Sequence, residues 1–394
     1  MTVRFDAIVV GLGAMGSCAL AELARRGKRV LGVDRFSPPH DRGSSHGGSR
    51  VIRLSYFEHP DYVPLLRRAY EGFDRLGRDA GETLRVETGL VMGGVPGNAV
   101  AAGMLKSARI HDLAVESLDG HELMRRFPQF SVPGDWEAVF ESRGGFVRPE
   151  ATIRAALAAA ARDGARVERG CPVTAWGSGA RGAHVECAAG RFEADAIVLA
   201  GGAWMPELLG VRAPVLCPTR ETILWLDDAG EPSWQAGAMP VWLFDRGAQP
   251  AVYGVPAIRT LLGRPDEVAG MKVGLHGRGP EVAPAQRDEA IDPAVVAETL
   301  DATAERVRGA RGRGVVAAAH CLYTMSADTD FLLGLHPQFA PSARVAVACG
   351  FSGHGFKFAP VVGEALADLA TEGRTALPIG FLAPGRAGGL PARG

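Results

Sequence analysis

The chain has 394 residues, about two domains' worth, and its 47% hydrophobic and 22% charged content is that of an ordinary globular protein, not of a disordered or fibrous chain. A net charge of −1 excludes the basic field that would hold nucleic acid or an anionic membrane surface. Of 43 basic residues only Lys28, Lys106, Lys272 and Lys357 are lysines, so these four are candidates for work that needs a compact ammonium rather than a planar guanidinium.

No apolar run reaches the ~18 residues of a membrane span. The N-terminus lacks a signal-peptide cleavage pattern and the C-terminus matches no peroxisomal or retention address. Six scattered cysteines without a Cys-x-x-Cys argue against zinc and against a disulfide scaffold. A reduced, cytoplasmic protein is the expectation.

In chain order, Phe5–Val10 reads as a strand, Gly11-Leu12-Gly13-Ala14-Met15-Gly16 as a turn, Cys18–Arg26 as a helix and Arg29–Val33 as a second strand ending at Asp34. This is a G-x-G-x-x-G in the strand–turn–helix context that gives it meaning. The first glycine permits the tight turn, the second admits a pyrophosphate to the backbone, and the third lets helix pack on strand. The helix N-terminus offers free N–H donors. Asp34, 23 residues after Gly11, is placed for ribose hydroxyls and disfavours a 2′-phosphate.

Further parallel strands are expected far along the chain. A helix from Pro149-Glu150 through Arg162 leads to a strand near Val167. Ala196–Ala200 precedes Gly201-Gly202-Ala203-Trp204, and Val345–Ala348 precedes Cys349-Gly350. A sheet assembled from start, middle and end suits FAD better than a contiguous NAD domain. Between them, Thr222–Leu226, Val241–Phe244, Ala251–Gly254 and Met271–Leu275 are short strands without intervening helices, which indicates a mostly antiparallel sheet. The fold class is therefore α/β, a discontinuous Rossmann-like FAD-binding domain (residues 1–88, 142–216 and 318–394) with an interleaved, mostly antiparallel β substrate domain (89–141 and 217–317). A final helix is expected after Pro360.

Four segments carry a resemblance: Gly43-Ser44-Ser45-His46-Gly47-Gly48-Ser49-Arg50-Val51-Ile52-Arg53, Met271-Lys272-Val273-Gly274-Leu275-His276, His320-Cys321-Leu322-Tyr323-Thr324, and Cys349-Gly350-Phe351-Ser352-Gly353-His354-Gly355-Phe356-Lys357-Phe358. With the N-terminal glycine motif and Asp34-Arg35-Phe36, they resemble the monomeric sarcosine oxidase and N-methyltryptophan oxidase family of amino-acid-oxidase-like flavoproteins. The resemblance runs in order from Thr2 to about Ile379. It implies a monomeric FAD oxidase of a secondary amino acid: hydride passes from the carbon beside nitrogen to flavin N5, the imine hydrolyses, and O2 reoxidises the flavin to give hydrogen peroxide.

Roles follow from the same resemblance. Arg53 and Lys357 hold the substrate carboxylate; a guanidinium fork suits that task. Arg50 lies against the flavin, Lys272 assists oxygen reduction, and Cys321 carries the flavin covalently. Tyr253, His276 and Tyr323 surround the substrate. Gly11, Gly13, Met15, Gly16, Asp34, Arg35, His46, Ser49, Arg50, Val173, Gly201, Trp204, Gly353, Gly355, Phe356 and Lys357 contact the cofactor. Without the resemblance, Arg50 and Arg53 would read as a solvated face and His276 as a structural histidine.

Two departures stand out. The family's usual His-His-Gly-Asp-Thr is here Ser45-His46-Gly47-Gly48-Ser49, and the Tyr253–Lys272 connection is longer than usual, leaving the recognised side chain open. Two rival readings also stay open. One is a dehydrogenase passing electrons to another acceptor, against which Lys272 argues. The other is a flavin-binding protein without catalysis, against which the intact Arg53, Lys272 and Lys357 argue.

Overall fold

A computed structural model describes residues 4–179, 182–258, 268–339 and 344–391. Its first sheet is built around strand Arg4–Val10, every residue of which from Ala7 to Val10 is buried. That strand pairs in parallel with Val30–Val33 on one side and with Gly190–Leu199 on the other. Arg166–Glu168 continues the sheet beyond Val30–Val33 in parallel. Strand Gly190–Leu199 changes partner along its length: residues 190–194 pair with the hairpin strand Gly182–Cys187, and residues 197–199 pair in parallel with Val345–Cys349. The parallel strands expected from the start, middle and end of the chain thus meet in one sheet, whose buried apolar residues need cover on both faces.

Helices Ala14–Arg25, Pro149–Arg162 and Ala359–Glu372 supply that cover on one face, packed in one core with Tyr62–Ala80. The first helix starts four residues earlier than its apolar spacing indicates, directly on N-cap Gly13. Gly11 lies at φ +87°, and a Cβ on Gly16 would fall 1.7 Å from the Gly11 carbonyl oxygen, so the helix can begin this close to the strand only with glycine at position 16.

The second sheet runs in the order Val315–Ser326, Leu216–Leu226, Met271–Leu275, Gln249–Val255, Val241–Arg246, Leu90–Gly94, Glu137–Glu141, Glu116–Asp119. All neighbours are antiparallel except Val241–Arg246 with Leu90–Gly94. All four short strands expected between residues 222 and 275 lie in it. Strands Leu216–Leu226 and Val315–Ser326 pair along their whole length and cross the expected boundaries at 216/217 and 317/318. Helix Pro293–Arg306 closes the far face over a core that includes Trp234, Trp242 and Phe244. A small third sheet joins Arg50–Ile52 and Arg85–Glu87 to Gly145–Val147. Residues 259–267 of the long Tyr253–Lys272 connection lie outside the described residues. Among the described residues, no helix is long and apolar enough to cross a membrane.

Candidate active site

The carboxyl ends of the parallel strands open onto a cleft that encloses about 1410 Å³, mouth included. Gly11, Gly13, Met15, Asp34, Arg35, Val173, Gly201, Trp204, Gly353, Gly355 and Phe356 all line it. Gly16 does not: it is spent on helix–strand contact. Asp34 is buried, and its carboxylate accepts the N–H of Leu12 (2.6 Å) and of Phe36 (2.7 Å), holding the turn at the cleft floor. Trp204 forms one wall, with the Arg35 guanidinium 5.7 Å over its ring and Phe36 edge-on to it.

The donor set and shape fit a flavin dinucleotide. A Cβ on Gly13 would stand in the cleft, with Ser45 Oγ at 3.8 Å its nearest neighbour, so backbone rather than side chain meets an occupant here. The helix behind it has a glycine N-cap with no capping side chain of its own, and of its first-turn N–H groups that of Ala14 makes a long bond to Ser45 Oγ (3.4 Å), which leaves this end open to a pyrophosphate.

A second cavity, about 870 Å³ with its mouth included, adjoins the first. Arg50, Cys321, Tyr323, Gly353 and Phe356 line both, so they form a shared wall. Arg53, Tyr253, Lys272, His276 and Lys357 line the second cavity only, and so does Ser49. His46 lines neither; it is buried, its Nε2 has no hydrogen-bond partner among the described residues, and burial, then the charges of Arg50, Arg287 and Lys272, lower its pKa to about 3.

On the shared wall, Arg50 donates to the Ser49 carbonyl, to the Ser44 carbonyl (both 2.8 Å) and to Sγ of Cys321 (3.2 Å). A sulfur anion at Cys321 would meet a guanidinium at contact. Lys272 is buried, and its ammonium donates to the carbonyls of Ser49 (2.5 Å) and Gly47 (3.2 Å) and to Ser49 Oγ (3.4 Å). Burial, and then the charge of Arg50, push its pKa well below the ordinary lysine value. From the opposite side, Glu150 of helix Pro149–Arg162 accepts the N–H groups of Gly47 (2.6 Å) and Gly48 (3.2 Å). Gly48 has no carboxylate of its own; Glu150 brings one to the same loop from elsewhere in the chain.

At the far end of the cavity, Arg53 is buried between Tyr56 and Phe57, with its guanidinium 4.2 and 4.5 Å over their rings. Its Nη2 donates to both oxygens of Glu58 (2.8 and 2.6 Å). Burial disfavours the charge on Glu58, but Arg53, His354 and Lys357 outweigh it and hold the carboxyl at about 2. Lys357 Nζ donates to the His354 carbonyl (2.7 Å); burial, then Arg53, lower its pKa to about 7 against the pull of Glu58. The end of the cavity is therefore a cationic pole whose arginine already holds a carboxylate from its own chain. A substrate carboxylate would meet Lys357 directly and Arg53 in competition with Glu58.

His276 Nδ1 lies 3.3 Å from the Tyr323 hydroxyl, and burial lowers the pKa of this histidine while raising those of Tyr253 and Tyr323. At cavity pH near neutral these groups are uncharged donors and acceptors that orient rather than carry charge. Sequence reasoning missed Glu58, Glu150 and His354, the last of which hydrogen-bonds Tyr56 through Nδ1. Glu58 and His354 have only their proximity to the motifs as a sequence signal, which selects nothing among so many charged residues, and Glu150, 103 residues from Gly47, lacks even that.

The FAD dependent oxidoreductase family matches residues 6–369. The monomeric sarcosine oxidase of Streptomyces avermitilis is 39% identical, with 100% of each chain covered. The N-methyl-L-tryptophan oxidase of Salmonella arizonae is 33% identical over 94% of this chain and 95% of its own. Among solved structures, NikD, an unusual amino acid oxidase essential for nikkomycin biosynthesis, superposes with a TM-score of 0.82 at 23% identity, covering 97% of this chain and 98% of its own.

The ionisation of Lys357 generates a pH prediction. Below about 7 Lys357 is cationic and attracts a carboxylate; above it the charge is lost. The KM for a carboxylate substrate should rise with pH through that point, by up to ~10-fold per unit where only the cationic form binds. Steady-state KM profiles between about pH 6 and pH 9 should show this limb in wild type and its absence in Lys357→Met. Superimposable profiles would exclude Lys357 from carboxylate binding.

Proposed function

The chain belongs to the FAD-dependent oxidoreductase family, alongside the monomeric sarcosine and N-methyl-L-tryptophan oxidases, and from that premise we propose that it oxidises a secondary amino acid with O2 as acceptor. The observation that carries the reading is the wall shared by cleft and cavity, with a buried cationic pole on the cavity side of it. FAD, when bound in the cleft, supplies the acceptor for the hydride leaving the carbon beside nitrogen; the imine so formed hydrolyses in water.

The residues divide the remaining work. Arg53 and Lys357 take the carboxylate and so fix the amino acid by the end that does not react. Tyr253, Tyr323 and His276, held uncharged by burial, border the amine without placing a competing charge beside it. Such a site favours the unprotonated amine, the form able to release a hydride. Arg50 and Cys321 stand on the shared wall, where a thioether to the flavin would tether it. Lys272 has a hydrogen-bond acceptor for each of its three N–H donors, so what it offers oxygen is a fixed positive charge rather than a free donor. A preorganised cation of that kind stabilises the negative charge that develops as O2 accepts its first electron. A cytoplasmic monomer that needs no partner beyond substrate and O2 completes the proposal.

The reading is tested by assaying peroxide across a panel of N-methyl and cyclic amino acids and their primary-amine counterparts. At least one secondary amine should give one peroxide per turnover, far faster than its primary counterpart. Lys272→Met should still be reduced by that substrate without air, while its reoxidation by O2 slows by ~100-fold or more, in line with the loss of one preorganised charge. Unchanged reoxidation would remove Lys272 from the oxygen step, and rapid turnover with an artificial acceptor but none with O2 would favour a dehydrogenase.

The tether has its own outcome. Acid precipitation should leave flavin with wild-type protein and release it from Cys321→Ala. Flavin released from wild type would show that Cys321 holds no covalent bond.

A further inference from the structure

The substrate cavity contains one more ionisable group that none of the roles above uses. Glu221 lies in strand Leu216–Leu226, is 3% exposed, and lines the cavity. In the antiparallel register it stands directly opposite Cys321, and Thr219, on the same face, stands opposite Tyr323. Its carboxylate therefore belongs to the sheet wall over which a substrate side chain would extend. The phenols of Tyr253 and Tyr323 both feel its charge.

Its bonding is one-sided. Oε2 accepts the N–H groups of Arg278 (3.1 Å) and Gly279 (3.0 Å), whereas among the described residues Oε1 accepts only the Thr219 hydroxyl (3.0 Å). A carboxylate has about four acceptor sites, so these three bonds leave capacity on Oε1. The nearby guanidinium of Arg278 pairs instead with Glu298 (3.2 Å), and among the described residues Glu221 has no ion-pair partner. Burial raises its carboxyl pKa despite the three donated bonds, as expected of an anion awaiting a counter-charge. Among the described residues, the neighbouring carboxylates are answered: Glu58 by Arg53, and Glu150 by two backbone N–H groups at the loop beside Lys272.

The cavity is thus bipolar, with cations Arg53 and Lys357 at one end and an unmatched carboxylate on the sheet wall. We propose that Glu221 selects an amino-acid substrate whose side chain ends in a cationic or strongly donating nitrogen. This rests on the oxidase reading above and adds the side chain that the relatives' names do not supply: neither sarcosine nor N-methyltryptophan carries a second cation.

The test uses the holoenzyme and two substrates differing only by a terminal ammonium, Nα-methyl-L-lysine and Nα-methyl-L-norleucine. Wild type should favour the lysine derivative in kcat/KM by at least ~10-fold, the range of a charge-assisted hydrogen bond. Glu221→Gln keeps an oxygen for the Arg278 and Gly279 N–H groups; it should abolish that preference while leaving the norleucine derivative within about twofold. A preference that survives Glu221→Gln, or a wild type that favours norleucine, overturns the proposal. Binding of Nα-acetyl-L-lysine and Nα-acetyl-L-norleucine, whose amide nitrogen is not an oxidisable amine, is measured in parallel by calorimetry. If neither methylated substrate turns over but the acetyl-lysine preference is present in wild type and lost in Glu221→Gln, the oxidase reading fails and Glu221 keeps its role. Equal affinities for the acetylated pair in wild type overturn the role of Glu221.

Discussion

A buried ammonium and a part-buried carboxylate grip one short loop, and the site depends on that grip. Lys272 reaches from the second sheet to the carbonyls of Gly47 and Ser49, and Glu150 reaches from a helix on the first sheet to the N–H groups of Gly47 and Gly48. The next residues are the strand Arg50–Ile52 and then Arg53. Because the loop is fixed from both sides, Arg50 can face the shared wall while Arg53, three residues on, reaches the cavity's far end. Removing either side chain leaves the loop carbonyls or N–H groups that it bonds without that partner, a loss of about 1–3 kcal/mol for each group kept from water. Lys272 is thus a structural clamp as well as the positive charge offered to oxygen, and a variant at this position bears on both.

The opening count of lysines gains meaning from this. Lys272 and Lys357, the two that fall in the site, each make compact hydrogen bonds to main-chain carbonyls in tight spaces. A planar guanidinium, with five donors in a rigid fork, does not fit that compact geometry. Arginine serves where a fork is wanted: Arg50 spans two carbonyls and a sulfur, and Arg53 lies flat between two aromatic rings.

Much of the fold was legible in the sequence because it rests on local signals. The glycine turn, the apolar strands and the proline-started helices each announce themselves within a dozen residues, and the parallel strands met in one sheet as their spacing implied. What the sequence could not show was pairing between distant charges. Glu150 lies about a hundred residues from the loop it holds, and Glu221 acquires its place beside Cys321 only through strand register. Glu58 is near Arg53 in sequence, yet nothing distinguishes it from the other acidic residues until Tyr56 and Phe57 bury the pair. His46, carried by a motif, is buried and lines neither cavity.

The central claim is that an amino-acid carboxylate binds against the same wall that meets the flavin. It is tested most directly by titrating the oxidised holoenzyme with a small carboxylic acid that cannot be oxidised and recording the flavin absorption spectrum. The account predicts a saturable spectral change, with an affinity matching that acid's competitive inhibition of turnover and lost in Arg53→Met. A spectrum unchanged at concentrations that fully inhibit the enzyme would place the carboxylate site away from the flavin and contradict it.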